Sequence, residues 1–232
     1  VTTAVPAGSK QVQAMFGRIA GRYDLLNRLL SARLDVRWRR IAVGMLEPGA
    51  GTALDLACGT YDLGLAAIAQ GRAARVHGCD FCLPMLAAGS GKRAGRPLSA
   101  AAGDAMRLPY ADGAFDLAMV AYGWRNFGDP LASARELRRV LRPGGQLLIL
   151  EFFRPVRLWP KIFYGTFGRG VFPLAGSLIA GDREAYRYLH DSVRGFVSTA
   201  EAEAVLAQAG FAGMRWRAFS GGVSHAVAAS AA

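Results

Sequence analysis

A tight loop and the carboxylates spaced after it are the parts of this sequence best suited to chemistry. The run Ala53-Leu54-Asp55-Leu56-Ala57-Cys58-Gly59-Thr60-Tyr61-Asp62 reads as a buried strand that breaks at small residues and opens a helix. Backbone N–H groups at such a turn attract an anionic group, and small residues let that group approach the main chain. Asp80 ends the next apolar run, 21 residues after Gly59. From that place a carboxylate reaches a ribose diol held over the first loop. Asp104, in Gly103-Asp104-Ala105 after a third short run, is placed to accept an exocyclic adenine N–H. Loop and carboxylates together point to an adenosine-containing cofactor; the plainer alternative for either Asp is a solvated strand end.

The elements that must position these residues follow from periodicity. Apolar residues recur at three- and four-residue spacing over 11–19, 23–30 and 36–46, predicting N-terminal helices closed by Pro48-Gly49. Strands and helices then alternate. Strands are predicted at 53–57, 75–79, 98–101, 115–121 and 146–151, and helices at 62–70, 84–94 and 131–141. This order demands a parallel sheet covered by helices on both faces. Phe115 reads as core rather than ligand contact. An aromatic-rich, proline-broken stretch at 155–182 interrupts the rhythm as an insertion of short helices. A helix at 186–193 follows it, and Ser198-Thr199-Ala200-Glu201 has the form of a capping box opening 202–209. Strands at 211–219 and 223–229 finish the chain as an antiparallel pair. The whole reads as a single domain over 1–232, with residues 1–47 a helical segment.

Composition narrows the classes. The 28 Lys and Arg outnumber the 17 Asp and Glu, a formal charge of +11 that favours an anionic partner such as acidic lipid, nucleic acid or a charged substrate. Much of the excess is Arg in an Ala- and Gly-heavy chain, so coding bias is an alternative source. No basic-then-apolar N-terminal leader is evident. The most apolar later stretch, 171–180, is about half the roughly 20 residues that a spanning helix needs. A cytoplasmic location is expected. Cys58, Cys79 and Cys82 form an odd set without disulfide density, which fits a reducing compartment. With no second Cys pair and no nearby His, Cys79-x-x-Cys82 is read as coincidence and no metal site is expected.

A complete G-x-G-x-x-G is missing. Together with Asp104 and the antiparallel finish, this moves the reading from a nicotinamide cofactor to S-adenosylmethionine and a class I, Rossmann-like methyltransferase sheet of seven strands, mostly parallel, with an antiparallel last strand. Tyr61 stands out, since a small residue, usually Gly, is expected there. If the position has positive φ, a tyrosine costs on the order of 1 kcal/mol in backbone strain. At negative φ the ring needs only space, folding over or into the methionine end of the pocket.

Longer runs carry a resemblance. Ala20-Gly21-Arg22-Tyr23-Asp24-Leu25-Leu26-Asn27-Arg28, Arg37-Trp38-Arg39-Arg40, Gly123-Trp124-Arg125-Asn126, Arg139-Val140-Leu141-Arg142-Pro143-Gly144-Gly145 and Leu150-Glu151-Phe152 make the chain similar, over nearly its whole length, to the ubiquinone/menaquinone biosynthesis C-methyltransferases. The first and third of these runs are the specific ones. The resemblance implies methylation of a ring carbon of a prenylated quinol. It places Thr60, Asp80, Asp104 and Ala105 about the cofactor, and the reading of the loop and the second strand end adds Asp55, Gly59, Tyr61 and Phe81 as candidates. Ala121 takes the position of a serine contact, Tyr61 that of a glycine, and Phe153 stands where Ser is usual.

For the reaction, Arg125 is the candidate to stabilise a phenolate, while Tyr23 and Asn126 could orient the quinol. Their plainer alternatives are a partner for a structural carboxylate, a packing tyrosine and a turn former. Phe163, Tyr164, Phe167 and Phe172, with the N-terminal helices, could line a channel for the prenyl tail. Arg33, Arg37, Arg39 and Arg40 could seat the N-terminal helices on anionic lipid at the inner face of the cytoplasmic membrane, each cation contributing about 1 kcal/mol. A homodimer is compatible with the sequence. Nucleic acid is not expected as a partner, because no stacking-aromatic signature or RNA module is evident. The competing readings are a methyltransferase with another acceptor, and a non-catalytic descendant with cofactor binding impaired at Tyr61.

Overall fold

The computed structural model of the chain describes residues 9–49, 51–166 and 183–232. Its helices are α1 (Ser9–Ile19), α2 (Tyr23–Leu30), α3 (Leu34–Val43), α4 (Asp62–Ala69), α5 (Leu83–Ala88), α6 (Ser90–Arg93), α7 (Pro130–Val140), α8 (Leu158–Thr166), α9 (Arg183–Gly195) and α10 (Thr199–Gln208). The strands are β1 (Thr52–Leu56), β2 (Arg75–Asp80), β3 (Leu98–Ala102), β4 (Phe115–Ala121), β5 (Leu141–Glu151), β6 (Phe211–Phe219) and β7 (Ser224–Ala231). Short 3-10 turns occupy Ala20–Arg22 and Trp124–Asn126.

The strands form one seven-stranded sheet in the order β3-β2-β1-β4-β5-β7-β6. The first five are parallel, and β7 runs antiparallel to both β5 and β6. Side chains alternate across this sheet as the period of two requires. Ala53, Leu117, Met119, Leu148, Leu150, Ala226 and Ala228 enter one apolar layer. Leu54, Leu56, Ala118, Val120, Leu147, Ile149 and Val227 enter the other. Because helices cover both faces, the central strands read as continuous apolar runs.

Local chemistry sets the helix starts. Asp129 accepts bonds from the Leu131 and Ala132 N–H groups at 2.8 and 3.0 Å, and Pro130 sits at the first helical position of α7. The capping box read at Ser198 is present, with reciprocal Ser198 and Glu201 bonds opening α10.

Two elements differ from the periodicity. The single helix expected over 84–94 is broken at Gly89 into α5 and α6. A Cβ there would lie 2.7 Å from the Tyr61 ring and 2.9 Å from the Thr60 Cα, so this junction passes where only glycine fits. Strand β5 begins at Leu141 rather than Gln146, with a register shift opposite Phe115 and Leu117. Gly144, at φ +73°, carries the chain through that irregularity. Of the aromatic-rich stretch, residues 167–182 lie outside the described residues, and Phe167, Phe172 and the apolar run 171–180 with them.

Candidate active site

In the strand order, β1 has β2 on one side and β4 on the other, so the loops leaving β1 and β4 diverge. The crevice they leave at the carboxyl ends of the strands is where ligands bind in open α/β sheets. Both specific motifs end there.

The loop after β1 is built from left-handed residues. Ala57, Gly59 and Tyr61 have φ of +53°, +51° and +69°. The Tyr61 N–H closes the turn on the Cys58 carbonyl at 2.8 Å, and the Cys58 N–H ties it to the Cys79 carbonyl of β2 at 3.2 Å. The Gly59 N–H goes to Asp80, so these three N–H groups fix the shape of the loop at the strand end. Gly123, in the loop after β4, lets that segment pass close: a Cβ there would meet Ala57 Cβ at 2.4 Å.

Tyr61 occupies the positive-φ position, but its ring does not enter the crevice. The side chain is completely buried. Its hydroxyl donates to the Leu86 carbonyl at 2.9 Å, and the ring packs beneath the loop against Gly78 of β2 and Gly89, within about 3 Å of where their Cβ atoms would be. The expectation that the ring folds over or into the methionine end of the pocket is thus corrected. At this position the loop offers backbone, and two glycines elsewhere make room for the ring.

The carboxylates differ sharply. Asp80 is nearly buried, its Oδ2 accepting the Gly59 N–H at 2.8 Å and its Oδ1 the Cys82 N–H at 2.9 Å. Burial raises its pKa, against the backbone N–H bonds of Cys82, Gly59 and Phe81 that favour the charged form. Asp55, under the loop, accepts the Gly64 N–H at 2.9 Å. Burial pushes its pKa up to about 7, opposed by that bond and by Arg39. Asp104 is exposed and accepts the Met106 N–H at 2.9 Å, while Ala105 beside it is buried. Phe81 is half-buried in a small cluster with Phe16, Tyr23, Cys82 and Met85.

Beyond β4, Arg125 lies in the 3-10 turn with its guanidinium almost enclosed. Its Nη1 donates to Glu151 Oε1 at 2.8 Å and to the Tyr122 carbonyl at 2.5 Å, and its Nε to Ser192 Oγ at 3.3 Å. Burial opposes its charge, but the Glu151 carboxylate, with a smaller effect of Tyr188, holds its pKa above the usual value. The partner foreseen as a structural carboxylate is therefore Glu151, completely buried at the end of β5. Asn126 accepts the Tyr188 hydroxyl on Oδ1 at 2.8 Å. Tyr188 and Ser192, both on α9, brace this turn. Tyr23 packs edge-on against Phe16, with centroids 6.1 Å apart. Ala121 is partly buried at the end of β4.

The sequence reading missed Glu151, Tyr188 and Ser192. Glu151 left a signal as a lone charge ending the apolar run Leu147–Leu150, and Tyr188 lies in the run Tyr186-Arg187-Tyr188-Leu189, which also carries the family resemblance. It also overassigned Arg39 to a lipid-facing surface. Arg33, Arg37 and Arg40 are exposed, whereas Arg39 is buried, pairs with Asp35 at 2.8 Å and lies 5.2 Å over the Tyr122 ring. All three cysteines are buried and free. Among the described residues no cluster of His, Cys, Asp or Glu has the makings of a metal site.

The donor set fits S-adenosylmethionine. After the backbone bonds from Gly59, Cys82 and Phe81, the Asp80 carboxylate keeps part of its roughly four lone-pair sites, enough to accept from a ribose hydroxyl. Solved structures of similar shape agree on the fold. A S-adenosylmethionine-dependent methyltransferase from Thermotoga maritima superposes with a TM-score of 0.69 over 94% of this chain and 99% of its own, at 18% identity. The [4+2]-cyclase SpnF does so with a TM-score of 0.71 over 98% and 97%, at 17% identity. The architecture is that of a class I S-adenosylmethionine-dependent methyltransferase.

A family model resolves the class further. The chain belongs to the ubiE/COQ5 methyltransferase family, whose model matches residues 4–230. It is 45% identical to the demethylmenaquinone methyltransferase of Thermus thermophilus, over 90% of this chain and 96% of that protein. It is 36% identical to the ubiquinone/menaquinone biosynthesis C-methyltransferase UbiE of Paracoccus denitrificans, over 92% and 87%. The protein is a S-adenosylmethionine-dependent C-methyltransferase of menaquinone/ubiquinone biosynthesis.

Proposed function

We propose that this crevice methylates a ring carbon of a prenylated quinol, with Asp80 and the Ala57–Tyr61 loop holding the cofactor and Arg125 facing the acceptor oxygen. The observation that carries the reading is the Arg125–Glu151 pair, a permanently charged guanidinium held at the end of β4 beside the cofactor loop. The bound cofactor supplies an electrophilic methyl group on a sulfonium sulfur. A quinol ring becomes nucleophilic enough to take it once a hydroxyl proton has left.

Arg125 cannot act as that base, because a guanidinium does not give up its own proton. Its part is to lower the pKa of the quinol hydroxyl by stabilising the phenolate, with the proton passing to water. Glu151, Ser192 and the Tyr122 carbonyl hold it in one orientation, so little reorganisation is needed as charge develops. Asn126, fixed by Tyr188, and Tyr23 from the N-terminal segment are the groups positioned to orient the ring. Asp104 and Ala105 would face the adenine, and Phe81 and Ala121 would complete the cofactor wall.

Peripheral contact with an anionic membrane is part of the same proposal. Arg33, Arg37 and Arg40 are exposed, as are Leu25 and Leu29 on α2. Among the described residues no helix is long and apolar enough to cross a membrane. Tyr164 packs edge to face with both Phe152 and Phe163, and with Trp38 these rings would wall one side of a prenyl channel.

The test is transfer of a labelled methyl group to reduced demethylmenaquinone and, in parallel, to a demethylated benzoquinol. Label should appear on the ring carbon of at least one quinol. Asp80→Ala should weaken S-adenosylhomocysteine binding, while Arg125→Ala leaves that binding intact and cuts turnover. No transfer to either quinol would overturn the acceptor assignment, and unchanged cofactor affinity in the Asp80 variant the ribose assignment.

A further inference from the structure

The cofactor loop is tied to the N-terminal helices by a cluster of charges. The Thr60 hydroxyl donates to Asp24 Oδ1 on α2 at 2.7 Å. The other oxygen of the same carboxylate, Asp24 Oδ2, lies 2.5 Å from Lys92 Nζ on α6. Lys92 also donates to Asp62 Oδ1 at 2.6 Å and to Thr60 Oγ1 at 3.2 Å. Arg28 closes the cluster on Asp62 Oδ2 at 3.1 Å.

Asp24 therefore holds one carboxylate across a hydroxyl donor and an ammonium donor at the mouth of the loop. A free α-carboxylate would use the same two donors in the same way. We propose that Asp24 is an internal stand-in for the carboxylate at the amino-acid end of the cofactor, and that binding exchanges the one for the other on Thr60 and Lys92. The inference rests on the cofactor reading above and deepens it by assigning Lys92 as the residue that recognises the amino-acid end.

Two features make the exchange feasible. Lys92 and Asp24 each keep about 30% of their side-chain surface exposed (29% and 30%), so a ligand can reach them. Asp24 can also leave by a change of its own side-chain rotamer, while Val12, Met15 and Leu26, all buried, keep α1 and α2 seated. Lys92 released from Asp24 still has Asp62, so the exchange strands no cation.

The test compares two thioether ligands that differ only at the amino-acid end. S-adenosylhomocysteine carries the α-carboxylate and 5′-methylthioadenosine lacks it. Calorimetric titration of Lys92→Met should show S-adenosylhomocysteine binding weakened about ten-fold or more, the worth of a charge-assisted hydrogen bond, with methylthioadenosine unchanged. Asp24→Ala should act in the opposite sense, tightening S-adenosylhomocysteine several-fold by removing the competitor and again leaving methylthioadenosine alone. A Lys92 variant that weakens both ligands equally, or neither, overturns the proposal, as does an Asp24 variant that binds S-adenosylhomocysteine more weakly. If the wild-type protein binds neither ligand, the cofactor-site reading itself fails.

Discussion

Replacing Tyr61 by Gly restores the residue that the loop conformation prefers, yet the structure requires it to damage the protein. The φ of +69° costs a tyrosine about 1 kcal/mol, which glycine would recover. Against that gain, a completely buried aromatic side chain is lost, at about 3–5 kcal/mol. Its hydrogen bond to the Leu86 carbonyl adds about 1 kcal/mol. The net is a destabilisation of roughly 3–5 kcal/mol. At roughly 2–4 °C per kcal/mol for a chain of this size, the melting temperature should fall by about 6–20 °C. Tyr61→Phe, which keeps the ring, should cost only about 1 kcal/mol. Gly89→Ala supplies an independent check, because its new Cβ would press on the Tyr61 ring at 2.7 Å. It should cost about 1–3 kcal/mol by overpacking, and less in a Tyr61→Gly background. Thermal melting and titration with S-adenosylhomocysteine read the outcome. A Tyr61→Gly protein of unchanged stability that binds cofactor more tightly would refute the reasoning, since it would place the ring in ligand space.

Two further outcomes follow from buried charges. Asp55, with its folded pKa near 7, holds its proton in the native state while the unfolded chain has lost it. Its contribution is thus fully present below pH about 4 and is lost as pH rises toward 7. Asp55→Asn should flatten the fall in stability between those pH values; denaturant unfolding at pH 4.5 and 7 measures it, and an unchanged slope counts against a neutral Asp55. Glu151→Gln should leave Arg125 with an unpaired buried charge and cost about 3–5 kcal/mol. Turnover should drop while S-adenosylhomocysteine binding persists, and a double Glu151→Gln, Arg125→Met variant should melt higher than the single Glu151 variant.

The architecture was legible because its signals are local. Alternation of β4 and β5 residues between two apolar layers, the helix start at Pro130 and the capping box at Ser198 are each written within a few positions. The site was legible in part. The Gly59 to Asp80 spacing led to a real contact, the 2.8 Å bond from the Gly59 N–H to the Asp80 carboxylate. Arg125 and Asn126 stood out as candidates through a motif, but the side chains that hold them did not. Glu151 lies 26 positions from Arg125, and Tyr188 lies 62 from Asn126; no periodicity links such pairs. Arg39 was misplaced for the same reason, since an exposed and a buried arginine look alike in a helix with charges all around it.

By itself, then, the sequence determined that a parallel sheet would end in an antiparallel pair and that a small-residue loop, Asp80 and Asp104 would gather at its carboxyl edge. It also carried the family motifs. These are decided by hydrophobic period and by backbone demands acting over a few residues. Only the tertiary structure decided where the Tyr61 ring goes, because that depends on space left at Gly78 and Gly89 on other elements. Likewise, only the fold brings Asp24 and Lys92, 68 positions apart, onto one loop hydroxyl. What a side chain does in a site depends on its neighbours in space, and those are set when the layers close.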